Sequence, residues 1–132
     1  MLVTMLSAAL VAGCGGIGQD DLRRGGMLYT ENCAVCHGGD AQGGGGAGVY
    51  GLSKTPPDLT GLSQRNGGAF PVYTTLETLE GYADGGMRGR QMAGFSDLQG
   101  KRKKRVRIDR ERARTTEQLA ALLTYLSTLQ RP

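Results

Sequence analysis

Two residue types that are scarce in this chain meet at one place. It has three cysteines and one histidine in 132 residues, and two of those cysteines and the histidine stand in Cys33-Ala34-Val35-Cys36-His37. Positions i, i+3 and i+4 share one face of a helical turn, so the three side chains point the same way. Two thiols and an imidazole so placed suit covalent capture of a haem: the thiols add across the two vinyl groups and the imidazole faces the iron. Other chemistries fit these five residues less well. A thiol-redox Cys-x-x-Cys belongs near alternating strands and helices, and no such run surrounds this one. A structural zinc needs four ligands; beyond these three only Cys14 remains, in the N-terminal leader. A disulfide between Cys33 and Cys36 would close too short a loop to add much stability.

One histidine excludes bis-histidine iron in a monomer. Of the five methionines, Met1 and Met5 lie in the leader and Met27 lies close to the attachment motif, which leaves Met87 and Met92 as axial candidates. A thioether opposite an imidazole raises the reduction potential and fills the sixth position. A filled site carries electrons and does not bind oxygen.

These residues must be positioned by a small, loop-rich domain. The chain has 23 glycines, five tyrosines, two phenylalanines and no tryptophan. So little aromatic surface excludes a large core, and a bound group should complete the interior. Leu119, Leu122, Leu123, Leu126 and Leu129 form one apolar stripe of helical period. Thr115-Thr116-Glu117-Gln118 reads as a capping box with Thr115 as N-cap and Gln118 reaching back. A second helix is predicted from Thr75 to Ala83, stopped by Gly85-Gly86. The glycines at 38–39 and 43–46 form a loop after the motif. They do not match a phosphate-cradling pattern.

The stretch from Gly26 through Tyr29 to Cys33, Cys36, His37 and Gly38 resembles the opening of a class I c-type cytochrome, and 122–129 resembles that family's C-terminal helix. The resemblance spans about Asp20 to Arg131. It implies an all-α fold whose N- and C-terminal helices cross around one covalently bound haem c, with Gly26 admitting the ring of Tyr125. It implies that Cys33 and Cys36 hold the haem and that His37 is an axial ligand. Gln91-Met92-Ala93-Gly94-Phe95 resembles the family's Met-Pro-x-Phe loop, which makes Met92 the other axial ligand, with Met87 the alternative and Phe95 packing behind. Ala93 stands where the family carries proline, which implies a less rigid loop. Pro56-Pro57-Asp58-Leu59-Thr60 resembles a segment near the haem edge in which a proline carbonyl accepts the imidazole Nδ1–H. Either Pro56 or Pro57 fits that role. The resemblance implies a one-electron carrier, not an enzyme, serving larger redox complexes or sitting as a subunit of one. The alternatives are a five-coordinate haem sensor and, if no haem is attached, a thiol-redox lipoprotein.

Two segments concern location and partners. Met1 to Gly13 is apolar and uncharged; at ~1.5 Å per residue it is too short for a ~30 Å hydrocarbon core, and it has the length of a signal-peptide apolar region. Val11-Ala12-Gly13-Cys14 resembles a bacterial lipobox, which implies cleavage before Cys14, lipid on its sulfur, and a periplasmic domain held to a membrane. The organisation is then 1–13 signal peptide, 14–19 lipidated tether and 20–132 cytochrome domain. Residues 101–114 form a basic insert, a loop or a short hairpin, with nine Lys/Arg against Asp109 and Glu111, while the rest of the chain carries seven basic and ten acidic residues. Such an element can steer docking onto an acidic redox partner, rest on anionic lipid, or be merely solvated. No stacking aromatics interleave, so nucleic acid is excluded as a partner.

Because the haem supplies the missing interior, the haem-free chain is expected to be largely unfolded; native-like circular dichroism of the apo chain would overturn that.

Overall fold

The computed structural model describes residues 18–44, 54–84, 92 and 95–132. The described residues are mostly helical. Helix α1 spans Gln19–Asn32 and α2 Ala34–His37, with Cys33 between them. Helix α3 spans Leu62–Arg65 and α4 Val72–Ala83, and a 3₁₀ turn covers Ser96–Leu98. Strands β1 (Lys103–Ile108) and β2 (Glu111–Thr116) pair as an antiparallel hairpin, and α5 (Glu117–Thr128) closes the fold. No helix among the described residues is long and apolar enough to cross a membrane.

The principal helix contact is α1 against α5. Asp20 and Asp21 in the first turn of α1 suit the positive end of its dipole. On α5, Leu119, Leu122 and Leu123 are fully buried, and the small Ala120 and Ala121 let another backbone come near. The residue that uses this room is Gly25. A Cβ there would fall on the Ala121 carbonyl oxygen and stand 2.6 Å from Tyr125 Cβ. Gly26 lies beneath the Tyr125 ring, as predicted, where a Cβ would be 3.2 Å from Cε2. The two glycines divide the crossing between them, Gly25 against the α5 backbone and Gly26 under the aromatic ring. One turn on, Tyr29 meets Tyr125 with ring centroids 5.6 Å apart.

Helix α4 begins three residues before the predicted Thr75. Pro71 occupies its N-cap, and its carbonyl accepts from Thr75 N at 3.0 Å, so Val72 joins Leu76, Leu79, Tyr82 and Ala83 on the buried stripe. The cap of α5 also differs. Thr115 and Thr116 are still strand, opposite Lys104 and Lys103, so the helix starts later. Thr116 Oγ1 is the cap, accepting from Leu119 N at 3.2 Å and donating to the Leu98 carbonyl at 3.0 Å. This register puts Leu119 at the third helical position, so Gln118 cannot complete a capping box. Thr115 Oγ1 donates instead to Glu80 Oε1 at 2.8 Å, tying the hairpin to α4.

The hairpin is two-faced. Val106, Ile108, Ala113 and Thr115 are buried, while Arg105, Arg107, Arg112 and Arg114 are exposed. A two-residue connection joins the strands, with Asp109 at φ +53°, a conformation Asp tolerates better than most residues. Lys104 Nζ donates to both carboxylate oxygens of Asp21, fastening the open end of the hairpin to the first turn of α1.

Replacing Gly25 by Ala should destabilise the holoprotein by about 2–3 kcal/mol, because the obstacle is backbone and cannot swing away. Gly26→Ala should change stability by less than about 1 kcal/mol, ring contact offsetting the gain in helix propensity. Denaturant midpoints of the two variants make the comparison; equal costs would refute the assignment of Gly25 as the crossing point.

Candidate haem site

The attachment motif is built by the end of α1. Cys33 N donates to the Tyr29 carbonyl at 2.8 Å, and the Cys33 carbonyl then accepts from Cys36 N at 3.1 Å and His37 N at 2.9 Å. One turn therefore holds both thiols and the imidazole, as the spacing predicts. Cys33 is buried (7% exposed), Cys36 is half-buried, and both are free thiols; His37 is buried at 5%. Burial, and secondarily the neighbouring Cys36, pushes the Cys33 thiol up to about 11. A redox-active Cys-x-x-Cys needs the opposite shift, toward thiolate.

The imidazole is held by a specific partner. His37 Nδ1 lies 3.0 Å from the Pro57 carbonyl oxygen. A carbonyl can only accept, so Nδ1 carries the proton and donates it, and Nε2 keeps its lone pair for a metal. Of the two prolines that fit this role by sequence, the structure selects Pro57; the Pro56 carbonyl accepts from Gly44 N at 3.4 Å.

Two loops make that contact. After His37 the chain turns at Gly38 (φ +81°), whose carbonyl accepts from the buried Tyr29 hydroxyl at 2.7 Å. Burial above all raises the Tyr29 phenol, so it remains a donor. Gly43 N then donates back to the His37 carbonyl at 2.9 Å, and Leu59 N donates to the Ala41 carbonyl at 2.8 Å. Gly43 also has φ +81°, and a Cβ there would stand 2.5 Å from the Pro56 carbonyl oxygen and 3.0 Å from Asp58 N. Only glycine lets the two loops lie this close.

The far side of the proline segment is gripped by the C-terminus, a feature the sequence reading missed. Asp58 Oδ1 accepts from Thr60 N at 2.7 Å and Thr60 Oγ1 at 2.6 Å, and its Oδ2 pairs with Arg131. Arg131 N donates to the Thr60 carbonyl at 2.9 Å, and Arg65 donates to the Asp58 carbonyl at 2.7 Å. Gln130 bridges the Leu59 carbonyl and Ser63 N, each at 2.9 Å. Nothing in the spacing announces partners seventy residues apart. The only sequence trace is a polar Gln-Arg pair directly after an apolar helix.

Phe95 packs against the core, and its N–H lies 3.4 Å from the Tyr82 carbonyl near the end of α4. Met92 is half-buried. Met87 and Cys14 lie outside the described residues. Among the described residues no group of three or more His, Cys, Asp or Glu side chains could hold a metal ion. Two free thiols and a buried imidazole with one nitrogen already engaged are the donor set that a covalently bound haem requires.

The sequence was compared with protein families and with known proteins. The family model for cytochrome c matches residues 22–130, and the chain belongs to the cytochrome c family. No curated protein and no solved structure gave a match. Membership means that the cofactor is a covalently bound c-type haem and that the general function is haem-based electron transfer.

The Thr60 hydroxyl above all holds the Asp58 carboxyl below its usual range against the opposing effect of desolvation, with the Thr60 N–H and then the Arg131 and Arg65 guanidiniums adding to it. A depressed folded-state value means that the carboxylate stabilises the fold above its unfolded value of ~3.9. That contribution is lost as pH falls through the lower folded value. Asp58→Asn should therefore lower the urea midpoint at neutral pH, and the gap from wild type should close on acidification below pH ~3.9. A gap that does not change with pH would mean that the charge contributes nothing.

Proposed function

We propose that the protein is an exported, membrane-anchored one-electron carrier. In this reading Cys33 and Cys36 bind the haem covalently, and His37 and Met92 are the axial ligands. The observation that carries it is the hydrogen bond from His37 Nδ1 to the Pro57 carbonyl. It fixes the tautomer, aims Nε2 away from the proline segment, and makes the imidazole more basic toward a metal.

The bound haem supplies reversible one-electron chemistry; the chain sets potential and access. His37 is held rigidly, which limits reorganisation when the charge changes. Cys33 is buried while Val35, between the two thiols, is 63% exposed, so the attachment turn reaches the surface where a redox partner can approach. Phe95, three residues after Met92 in the sequence, packs on the core. Export is supported by the apolar segment 1–13, and anchoring by the lipobox-like residues ending at Cys14. Covalent haem attachment in an exported domain makes these two features consistent with each other.

The test is the visible spectrum of the purified protein, reduced and oxidised, with the redox potential. A c-type reduced spectrum is expected, together with the weak long-wavelength band of thioether–iron ligation in the oxidised form. Met92→Ala should abolish that band, open the site to added cyanide, and lower the potential by on the order of 0.1 V, within the ~0.8 V that axial ligands span. Met87→Ala should leave all three unchanged. A wild-type protein that has haem but lacks the band would favour the five-coordinate sensor, and a colourless protein would return Cys33 and Cys36 to thiol chemistry.

A further inference from the structure

The hairpin carries an electrostatic cost that its own contacts do not relieve. In the register Arg105 stands opposite Arg114, and Arg107 opposite Arg112. Directly opposed residues share a face, so these four guanidiniums and Lys103 lie on the exposed side, back to back with the buried Val106, Ile108 and Ala113. Like charges directly opposite one another destabilise a strand pair. Among the described residues the ion pairs engage Arg23, Arg24, Arg102, Lys104 and Arg131, and none of the four hairpin arginines. The one side-chain hydrogen bond within the set, Arg107 Nε to the Asp109 carbonyl at 3.4 Å, leaves the charge unneutralised.

The surroundings of this face narrow what could neutralise it. It carries no apolar residue, whereas a specific protein interface is built around an apolar, desolvated centre. Beside it stands Tyr73, 59% exposed, its hydroxyl donating to the Arg112 carbonyl at 2.9 Å. An amphipathic aromatic next to a basic strip suits a lipid headgroup layer. Position points the same way. Through Lys104 and Asp21 the open end of the hairpin is bound to the first turn of α1, where the chain arrives from the apolar segment 1–13 and Cys14.

We propose that this four-arginine face rests on an anionic, phosphate-bearing lipid surface and sets the orientation of the domain on its membrane. The proposal rests on the exported, anchored reading above. Guanidinium is a good partner for lipid phosphate, and a diffuse negative surface rewards each nearby basic residue by about fivefold in partition coefficient. The face also gives a single acyl anchor the second signal that stable attachment needs. With one edge seated on lipid, the domain no longer tumbles on its tether.

The test uses the full-length holoprotein and two kinds of vesicle, pure phosphatidylcholine and an equal mixture of phosphatidylcholine and phosphatidylglycerol. The N-terminal anchor binds both, so the ratio of the two partition coefficients isolates the charge. That ratio should exceed about 100 at low salt, and it should collapse near 1 M salt, where the Debye length is ~3 Å. Replacing Arg105, Arg107, Arg112 and Arg114 together by Gln should remove most of the preference, while replacing all four by Lys should keep most of it. Equal partition by wild type, or a preference that survives the glutamine variant, overturns the proposal. A lysine variant as deficient as the glutamine variant overturns it too, because that behaviour belongs to bidentate docking on an acidic protein. Haem spectra of the same samples, recorded before lipid is added, confirm that each variant is folded. They also test the electron-carrier reading separately, since a normal redox spectrum with no lipid preference sinks only the lipid proposal.

Discussion

The close crossing of α1 and α5 at Gly25 is the constraint on which the other features hang. Where Gly25 meets Ala121 the two backbones are nearer than any side chain would allow. This contact sets where α1 ends, and hence where Cys33, Cys36 and His37 lie, because the motif follows directly from the last turn of that helix. It also sets where α5 ends, and the residues just beyond α5 grip the proline segment. The two sides of the imidazole's environment are thus registered by a single helix–helix contact. A shift of α5 along α1 would move the segment that holds His37 Nδ1.

The imidazole is held by a chain of contacts that leaves little slack. Pro57 contributes only its carbonyl, and a backbone carbonyl is placed as firmly as the segment that carries it. Here that segment is bound on one side to the 38–44 loop, through Ala41 and Gly44, and on the other to Arg65, Gln130 and Arg131. Exposed ion pairs such as Arg131–Asp58 individually add little to stability. Their effect here is positional: several directional bonds converge on three consecutive residues, which is how a small glycine-rich chain can orient one ring.

The hairpin answers a different physical demand with each face. Its inner face completes the core beside α5 and α4 through Val106, Ile108, Ala113 and Thr115. Its outer face concentrates charge on a chain whose remaining residues are net acidic. A two-residue period makes this division possible, since alternate side chains leave the ribbon on opposite sides. The same strand residues can then serve folding and surface electrostatics independently.

What could be read without coordinates was governed by local geometry. Cys33, Cys36 and His37 are joined by a few rigid peptide units, so their spacing alone places them on one turn, and the leucine stripe of α5 follows from 3.6 residues per turn in the same way. The chemistry of the site and the helical character of the chain were therefore legible in the sequence. The choices left to tertiary structure were mostly of one residue among neighbours: Pro57 over Pro56 and Thr116 over Thr115. Adjacent residues of like type have nearly the same local propensities, and only the packing of a distant element separates them. For Thr116 that element is β1, which holds Thr115 in the strand ladder; for Pro57 it is the His37 ring. The Asp58–Arg131 grip lay further out of reach, because it joins segments whose proximity exists only once the helices have crossed. Sequence by itself determined which groups can do the chemistry, through covalent spacing; the tertiary structure decided which groups hold them in place, because that depends on contacts between residues far apart in the chain.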